Sequence, residues 1–209
     1  MKVAAGLFGI HYITGLQHWM HWNLLVDYKK CYENNKEFLY NDIDVDFYSS
    51  TYFSEKTIEL LNDYKFTNIK LQNINNKIEN EIGNNWIKRN KRFKETIKLI
   101  LDSNIEYDYV ILTRYDVWFK QNPLKLNVDY SKINVICKAK CGPVNTIIDD
   151  NFYFMPYGKL EQFYDKINLI DERIWAHEYD KYIDDINYLI DGNYYSHEIP
   201  VYTLLRTHL

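Results

Sequence analysis

The run with the clearest chemical potential is Tyr107-Asp108-Tyr109-Val110-Ile111-Leu112-Thr113-Arg114-Tyr115-Asp116-Val117-Trp118-Phe119. An apolar stretch of buried-strand type ends abruptly in Thr-Arg-Tyr-Asp, which puts a cation and a carboxylate at the carboxyl edge of a sheet. Open α/β sheets bind their ligands at that edge. Arg114 suits pairing with phosphate oxygens, and Asp116 suits a divalent cation. Together they would compensate the charge of a diphosphate leaving group. The same residues also fit a plainer role, an ion pair closing a strand-to-loop turn, and such pairs add little stability.

Three other groups carry possible chemistry. Asp149-Asp150 precede the apolar run Phe152–Met155. Paired acids beside a sheet edge can bind an acceptor hydroxyl or act as general base, with Asp150 the better placed; an Asp-capped turn is the plain alternative. Lys88, Arg89, Lys91 and Arg92 open a long helix, where the helix dipole favours acids instead. Cations there point to an anionic ligand, Lys88 and Arg92 first because they share a face at i and i+4, unless the cluster is a solvated face. Ser49-Ser50-Thr51-Tyr52 follows a strand. Tyr52 is suited to stacking on a base, although a hydroxyl-rich helix entry explains the same run. The acid–histidine neighbours His177-Glu178 and His197-Glu198 lack metal-ligand spacing.

The elements that must hold these residues alternate through the first half. Val3–Ile10 reads as a buried strand, and Thr14 as the cap of a helix carrying Leu16, Trp19, Met20, Asn23, Leu24 and Asp27. Ile43–Tyr48 is a second strand, Ser54–Leu61 a short helix, Phe66–Leu71 a third strand, and Asn73–Asn85 a loop. A long amphipathic helix, about Trp86 to Leu101, precedes the strand Tyr109–Leu112. Strands are expected at Val135–Cys137, Phe152–Met155 and Val201–Leu205, and helices at Lys159–Ile167 and Glu178–Ile190. Alternation followed by a looser α+β pattern implies an α/β fold: a nucleotide-binding half over 1–120 and an acceptor half over 121–209.

Bulk properties narrow the function. The chain has 209 residues, enough for one sizeable core but not for two comfortable domains. A net charge of -4 with no basic run argues against phosphate-driven nucleic-acid binding. Aromatic residues reach 17%, with 20 Tyr and 5 Trp, and such rings stack on sugars and bases as readily as they fill cores. Cys31, Cys137 and Cys141 form no disulfide or zinc pattern and fit a reducing compartment. No apolar run nears the roughly 20 residues that cross a bilayer. A cytoplasmic protein is therefore expected, within a host cell if the chain is viral.

At this point the run Tyr107–Phe119 resembles the signature of GT-A glycosyltransferases, in which a strand of this kind ends in an Asp-x-Asp metal motif. It is closer still to the Arg-x-Asp version in domains encoded by large DNA viruses. The segments KVAAGLFG, DIDVDFYSSTYF, NKRFKETIKLIL, IIDDNFYFMP and EIPVYTLLR fit in order and spacing. The resemblance implies a GT-A, Rossmann-like, mainly parallel sheet flanked by helices. It implies a nucleotide pocket along Gly6, Phe8, Gly9, His11 and Tyr12, where glycines allow close backbone approach. The spacing is not GxGxxG, so a dinucleotide is not expected. With Thr51, Tyr52, Lys88, Arg92, Arg114, Tyr115 and Arg206 the expected pocket is complete. Mn²⁺ or Mg²⁺ would sit on Asp116 and His208, His208 supplying what Arg114 withdraws by replacing the first acid of the motif. Asp150, Asp149 and Arg114 would be the catalytic set.

The expected activity is transfer of a sugar from a nucleotide diphosphate, UDP first, to a glycan acceptor. Two other readings compete: a non-catalytic nucleotide- or glycan-binding module, and a metal-dependent nuclease or phosphotransferase, which the negative charge disfavours. On the transferase reading, Asp116→Ala removes activity and leaves the fold intact.

Overall fold

Lys2–Phe8 (β1) is apolar enough to be buried on both faces, and it pairs in parallel with a strand on each side. Those neighbours are Asp44–Tyr52 (β2) and Tyr109–Arg114 (β4), with Asn68–Gln72 (β3) beyond β2. The sheet continues with Ile133–Val135 (β5), Phe152–Pro156 (β6) and Ile186–Tyr188 (β7), in the order β7-β5-β6-β4-β1-β2-β3. Only β6 runs against its neighbours, β4 and β5; β7 is parallel to β5. This computed structural model describes residues 1–13, 16–17, 22–41, 43–73, 85–141, 144–170, 183–195, 198–205 and 207–208. For 13, 16–17, 22–25, 85–88, 141, 144–147 and 207–208 it describes the backbone alone.

Helices cover both faces. Tyr28–Phe38 (α1) and Thr57–Tyr64 (α2) bury Tyr28, Leu60 and Tyr64 against Leu7 of β1 and Tyr115. Asn85–Leu101 (α3) and Leu160–Leu169 (α4) lie on the opposite face, where Phe93, Ile97, Ile100, Phe163 and Ile167 meet Ala4, Phe8, Val110 and Leu112. A third cluster joins Val3 and Ile111 to Phe119, Ile199, Val201 and Tyr202. The protein is thus α/β, a mostly parallel seven-stranded sheet flanked by helices and compatible with a Rossmann-like fold. The sheet crosses both halves expected from sequence. Among the described residues, no helix is long and apolar enough to cross a membrane.

Three departures from the sequence reading have identifiable causes. Residues 14–27 do not form the expected helix over their described part. Trp22–Asp27 is a strand, paired antiparallel with Tyr12–Ile13, Leu16–Gln17 and Thr207–His208. The helix begins after it, because Asp27 has extended backbone and its Oδ1 accepts from Lys29 N at 3.0 Å. Asp27→Ala is expected to cost about 1 kcal/mol in denaturant unfolding. The described part of 178–190 holds strand β7 rather than helix, because Ile186–Tyr188 completes a ladder with Ile133–Val135. Val135–Cys137 shifts likewise: β5 ends at Val135. Most of the expected loop Asn73–Asn85 falls outside the described residues.

Gly6 lies inside β1, not in the loop after it. A Cβ there would stand 2.6 Å from Leu112 Cδ2, 2.8 Å from Thr96 Cγ2 and 3.2 Å from Ile100 Cδ1. The missing side chain is what lets α3 press onto the sheet. Phe8 belongs to the same contact, its ring centroid 4.6 Å from that of Phe93.

Candidate functional site

Four parallel strands, β3-β2-β1-β4, bring their carboxyl ends to one edge. Winding reverses between β1 and β4, with α1 and α2 on one face and α3 on the other. Open α/β sheets form their ligand crevice at such a switch point. Because α3 leads from β3 into β4, it runs back along the sheet, and its N-terminal half overlies this edge.

At the end of β1, Gly9 adopts φ +97°, a left-handed conformation that turns the chain into His11. His11 is buried, and both ring nitrogens are engaged: Nδ1 with Thr51 Oγ1 at 2.9 Å and Nε2 with Ser54 Oγ at 2.7 Å. Thr51 donates its hydroxyl to Gly9 O at 2.8 Å, so it accepts from His11 Nδ1–H, and Ser54 donates to Nε2. Burial pushes the His11 pKa down to about 4, so the neutral ring ties the β1 loop to β2. His11 and Thr51 therefore hold the loop's shape. Tyr12 lies beside Lys56, whose Nζ is 5.9 Å from its ring centroid.

On α3, Arg92 is only 4% exposed. Its Nη2 pairs with Glu95 at 3.0 Å and its Cζ lies 5.5 Å from the Tyr52 ring centroid. Glu95 is shared, accepting also from Ser50 Oγ and Lys70 Nζ, each at 2.8 Å. Among the described residues, Arg92 Nε and Nη1 are buried without a hydrogen-bond partner. One turn earlier, Arg89 pairs with Asp150.

At the end of β4, Arg114 grips Asp116 with two hydrogen bonds, Nε to Oδ1 at 2.8 Å and Nη2 to Oδ2 at 2.7 Å. Arg114 Nη1 also donates to Asn151 Oδ1 at 3.2 Å. The Asn151 amide donates in turn to Asp149 Oδ1 at 2.8 Å and to Tyr202 Oη at 2.9 Å. Tyr202 closes the ring by donating to Asp149 Oδ1 at 2.7 Å. It is delivered by the strand Tyr202–Leu204, which pairs with Val117–Phe119 directly after the motif. Burial pushes the Asp149 carboxyl up to about 7, aided by the charge of Asp150 and opposed by the hydrogen bonds from Tyr202 and Asn151.

The structure therefore brings Arg89, Asp150, Arg114, Asp116, Asp149 and Asn151 into one connected group, with Thr51 and Tyr52 on the neighbouring strand end and Arg92 above them on α3. Four sequence expectations need correction. Gly6 and Phe8 form the β1–α3 contact. Tyr115 is a core residue, buried between α2 and β2 with its hydroxyl donating to Ser49 Oγ at 2.6 Å. Asp149 is only 2% exposed and faces its own network, so it does not present itself to an acceptor. Arg206 and the side chains of Lys88 and His208 lie outside the described residues.

Asn151, Tyr202 and Glu95 were missed. Asn151 directly follows the Asp149-Asp150 pair and was open to detection, whereas one Tyr among 20 gave no signal. The donor set at Asp116 does not fit a divalent cation as it stands, since both carboxylate oxygens accept from a guanidinium. Among the described residues, no three His, Cys, Asp or Glu side chains form a metal-holding group. No protein-family model matches the chain, and no curated protein matches it either.

Proposed function

We propose that this chain is a glycosyltransferase of GT-A type that takes a sugar from a nucleotide diphosphate, UDP first, to a glycan acceptor. The observation that carries the reading is Arg92, a buried guanidinium with two nitrogens that no group among the described residues satisfies. Each orphaned polar group costs about 1–3 kcal/mol, and more when charged. A protein retains such a cost where a ligand removes it. Phosphate oxygens match a guanidinium fork, and Arg89 and Arg114 sit at the same edge. Charge developing on a leaving diphosphate would meet these groups already in place. Asp150, steadied by Arg89, is the residue proposed to orient the acceptor hydroxyl. Mn²⁺ or Mg²⁺ could reach Asp116 only if that carboxylate left the Arg114 guanidinium, so the effect of metal on nucleotide binding is measured directly.

A second reading has its own support. The pairing of Arg114 with Asp116 neutralises the one acid left in the motif, as expected of a nucleotide- or glycan-binding module without catalysis. It predicts binding with neither transfer nor sugar hydrolysis.

Thermal shift with UDP, GDP, CDP and ADP, each with and without Mn²⁺, separates these possibilities. One diphosphate should raise Tm selectively, by the equivalent of about 2.7 kcal/mol at a hundredfold excess over Kd. Arg92→Met should raise the ligand-free Tm, because it removes an incompletely paired buried charge, and should abolish the nucleotide response. A null response to all four nucleotides would sink the transferase reading and leave glycan binding as the surviving form of the second. Binding without turnover of any UDP-sugar would select the second.

A further inference from the structure

The Asp149 network holds a group that the proposed chemistry does not use. The carboxyl is buried, its side-chain donors Asn151 and Tyr202 both fall on Oδ1, and among the described residues Oδ2 has no hydrogen-bond partner. Half of a carboxylate charge left unpaired in the interior costs far more than a neutral hydroxyl in the same place. Among the described residues, no cationic side chain is paired with it. Its surroundings are Tyr202 from the strand beside the motif, Asn151 on its own segment, the neighbouring Asp150 with Arg89 upon it, and Cys137 just beyond β5. Asp149 N also donates to Cys137 O at 3.1 Å. The nearest cation along the hydrogen bonds is Arg114, one amide away through Asn151 and bound on its far side to Asp116.

We propose that Asp149 is a proton-holding positioning residue whose charge, relayed by Asn151, sets how strongly Arg114 attracts an anionic ligand. This rests on the reading of the edge as a nucleotide diphosphate site. With its proton on, Asp149 leaves Arg114 opposed by Asp116 alone. With the proton off, a second negative charge joins the chain, draws the Asn151 amide towards itself and lowers the potential that a diphosphate feels. The carboxyl pushed up to about 7 puts this change near neutral pH. The sign for stability follows: the folded state keeps a proton that the unfolded chain loses near pH 4. Stability therefore falls from about pH 4 to about 7 and is unaffected by this group above that.

The experiment compares UDP binding to wild type and Asp149→Asn by calorimetry at pH 6 and pH 8. The ratio between proteins cancels the titration of UDP itself. Wild-type affinity should fall about fivefold more than that of Asp149→Asn, the effect of one unit charge in a partly screened site. Tyr202→Phe removes a donor to Asp149 Oδ1 and should move the pH midpoint of the Asp149 carboxyl band, followed by infrared titration, above that of wild type. The infrared spectrum of the ligand-free protein should show a protonated carboxyl band at pH 6 that is gone at pH 8 and absent in Asp149→Asn. Equal pH dependence in the two proteins, an unmoved midpoint in Tyr202→Phe, or no protonated band at pH 6 overturns this proposal alone. No UDP binding at either pH overturns it, and no binding of UDP, GDP, CDP or ADP overturns the nucleotide reading with it.

Discussion

Asp116→Ala should lower stability by about 3–4 kcal/mol, because it strands the Arg114 guanidinium in a site where that side chain is only 12% exposed. In a chain of this size that loss is about 10 °C in Tm. The sequence reading expected the opposite, a variant without activity and with an intact fold, since an edge carboxylate waiting for a cation is a surface group. The geometry separates the two views. Asp116 is 3% exposed and receives both Arg114 nitrogens, so its removal uncovers a charge. Replacing the pair together, Arg114→Met with Asp116→Leu, should recover most of the loss, as buried ion pairs often give way to apolar pairs of similar volume. A double-mutant cycle then reads the coupling directly. Singles and double that all keep the wild-type midpoint would show that the pair is open to solvent and would reinstate the surface view.

The same contrast explains what the sequence could show. β1, β4, β6 and α3 were legible because burial on one or both sides leaves an apolar run or a 3.6-residue period within a short window. The strand Trp22–Asp27 was not. Its partners include Thr207–His208, far along the chain, and no local window carries that information, while the apolar spacing of 16–27 suits a helix equally well. Helix α1 was missed for a related reason. Its inward face uses Asn34 and Asn35, and Asn34 trades two hydrogen bonds with the backbone of Phe119. Buried amides on a helix read from sequence as an exposed polar stretch. At the site, the cation and acid of Arg114 and Asp116 were visible as types, but their mutual pairing and the ring through Asn151, Asp149 and Tyr202 depend on strands that meet only after folding.

Gly6→Ala is the sharpest test of which glycine does what. The added methyl would meet Leu112 Cδ2 and Thr96 Cγ2 well inside contact distance. Leu112 can adjust, but Thr96 is pinned: its Oγ1 accepts from Ser50 N at 2.9 Å and donates back to Arg92 O at 2.9 Å. A β-branched side chain held in this way can turn only by giving up those hydrogen bonds. The strain must pass into α3, at a cost of about 2–3 kcal/mol, with Gly6→Val worse. Because α3 also carries Arg89 and Arg92, lifting it off the sheet should weaken nucleotide binding as a consequence of the stability loss. Gly9→Ala provides the control. Nothing lies within 4 Å of a Cβ there, so its cost is the backbone conformation alone, about 1 kcal/mol. If Gly6 instead lined the nucleotide, Gly6→Ala would reduce UDP affinity with no change in the ligand-free Tm. That outcome would return Gly6 to the pocket and leave the close approach of α3 without an explanation.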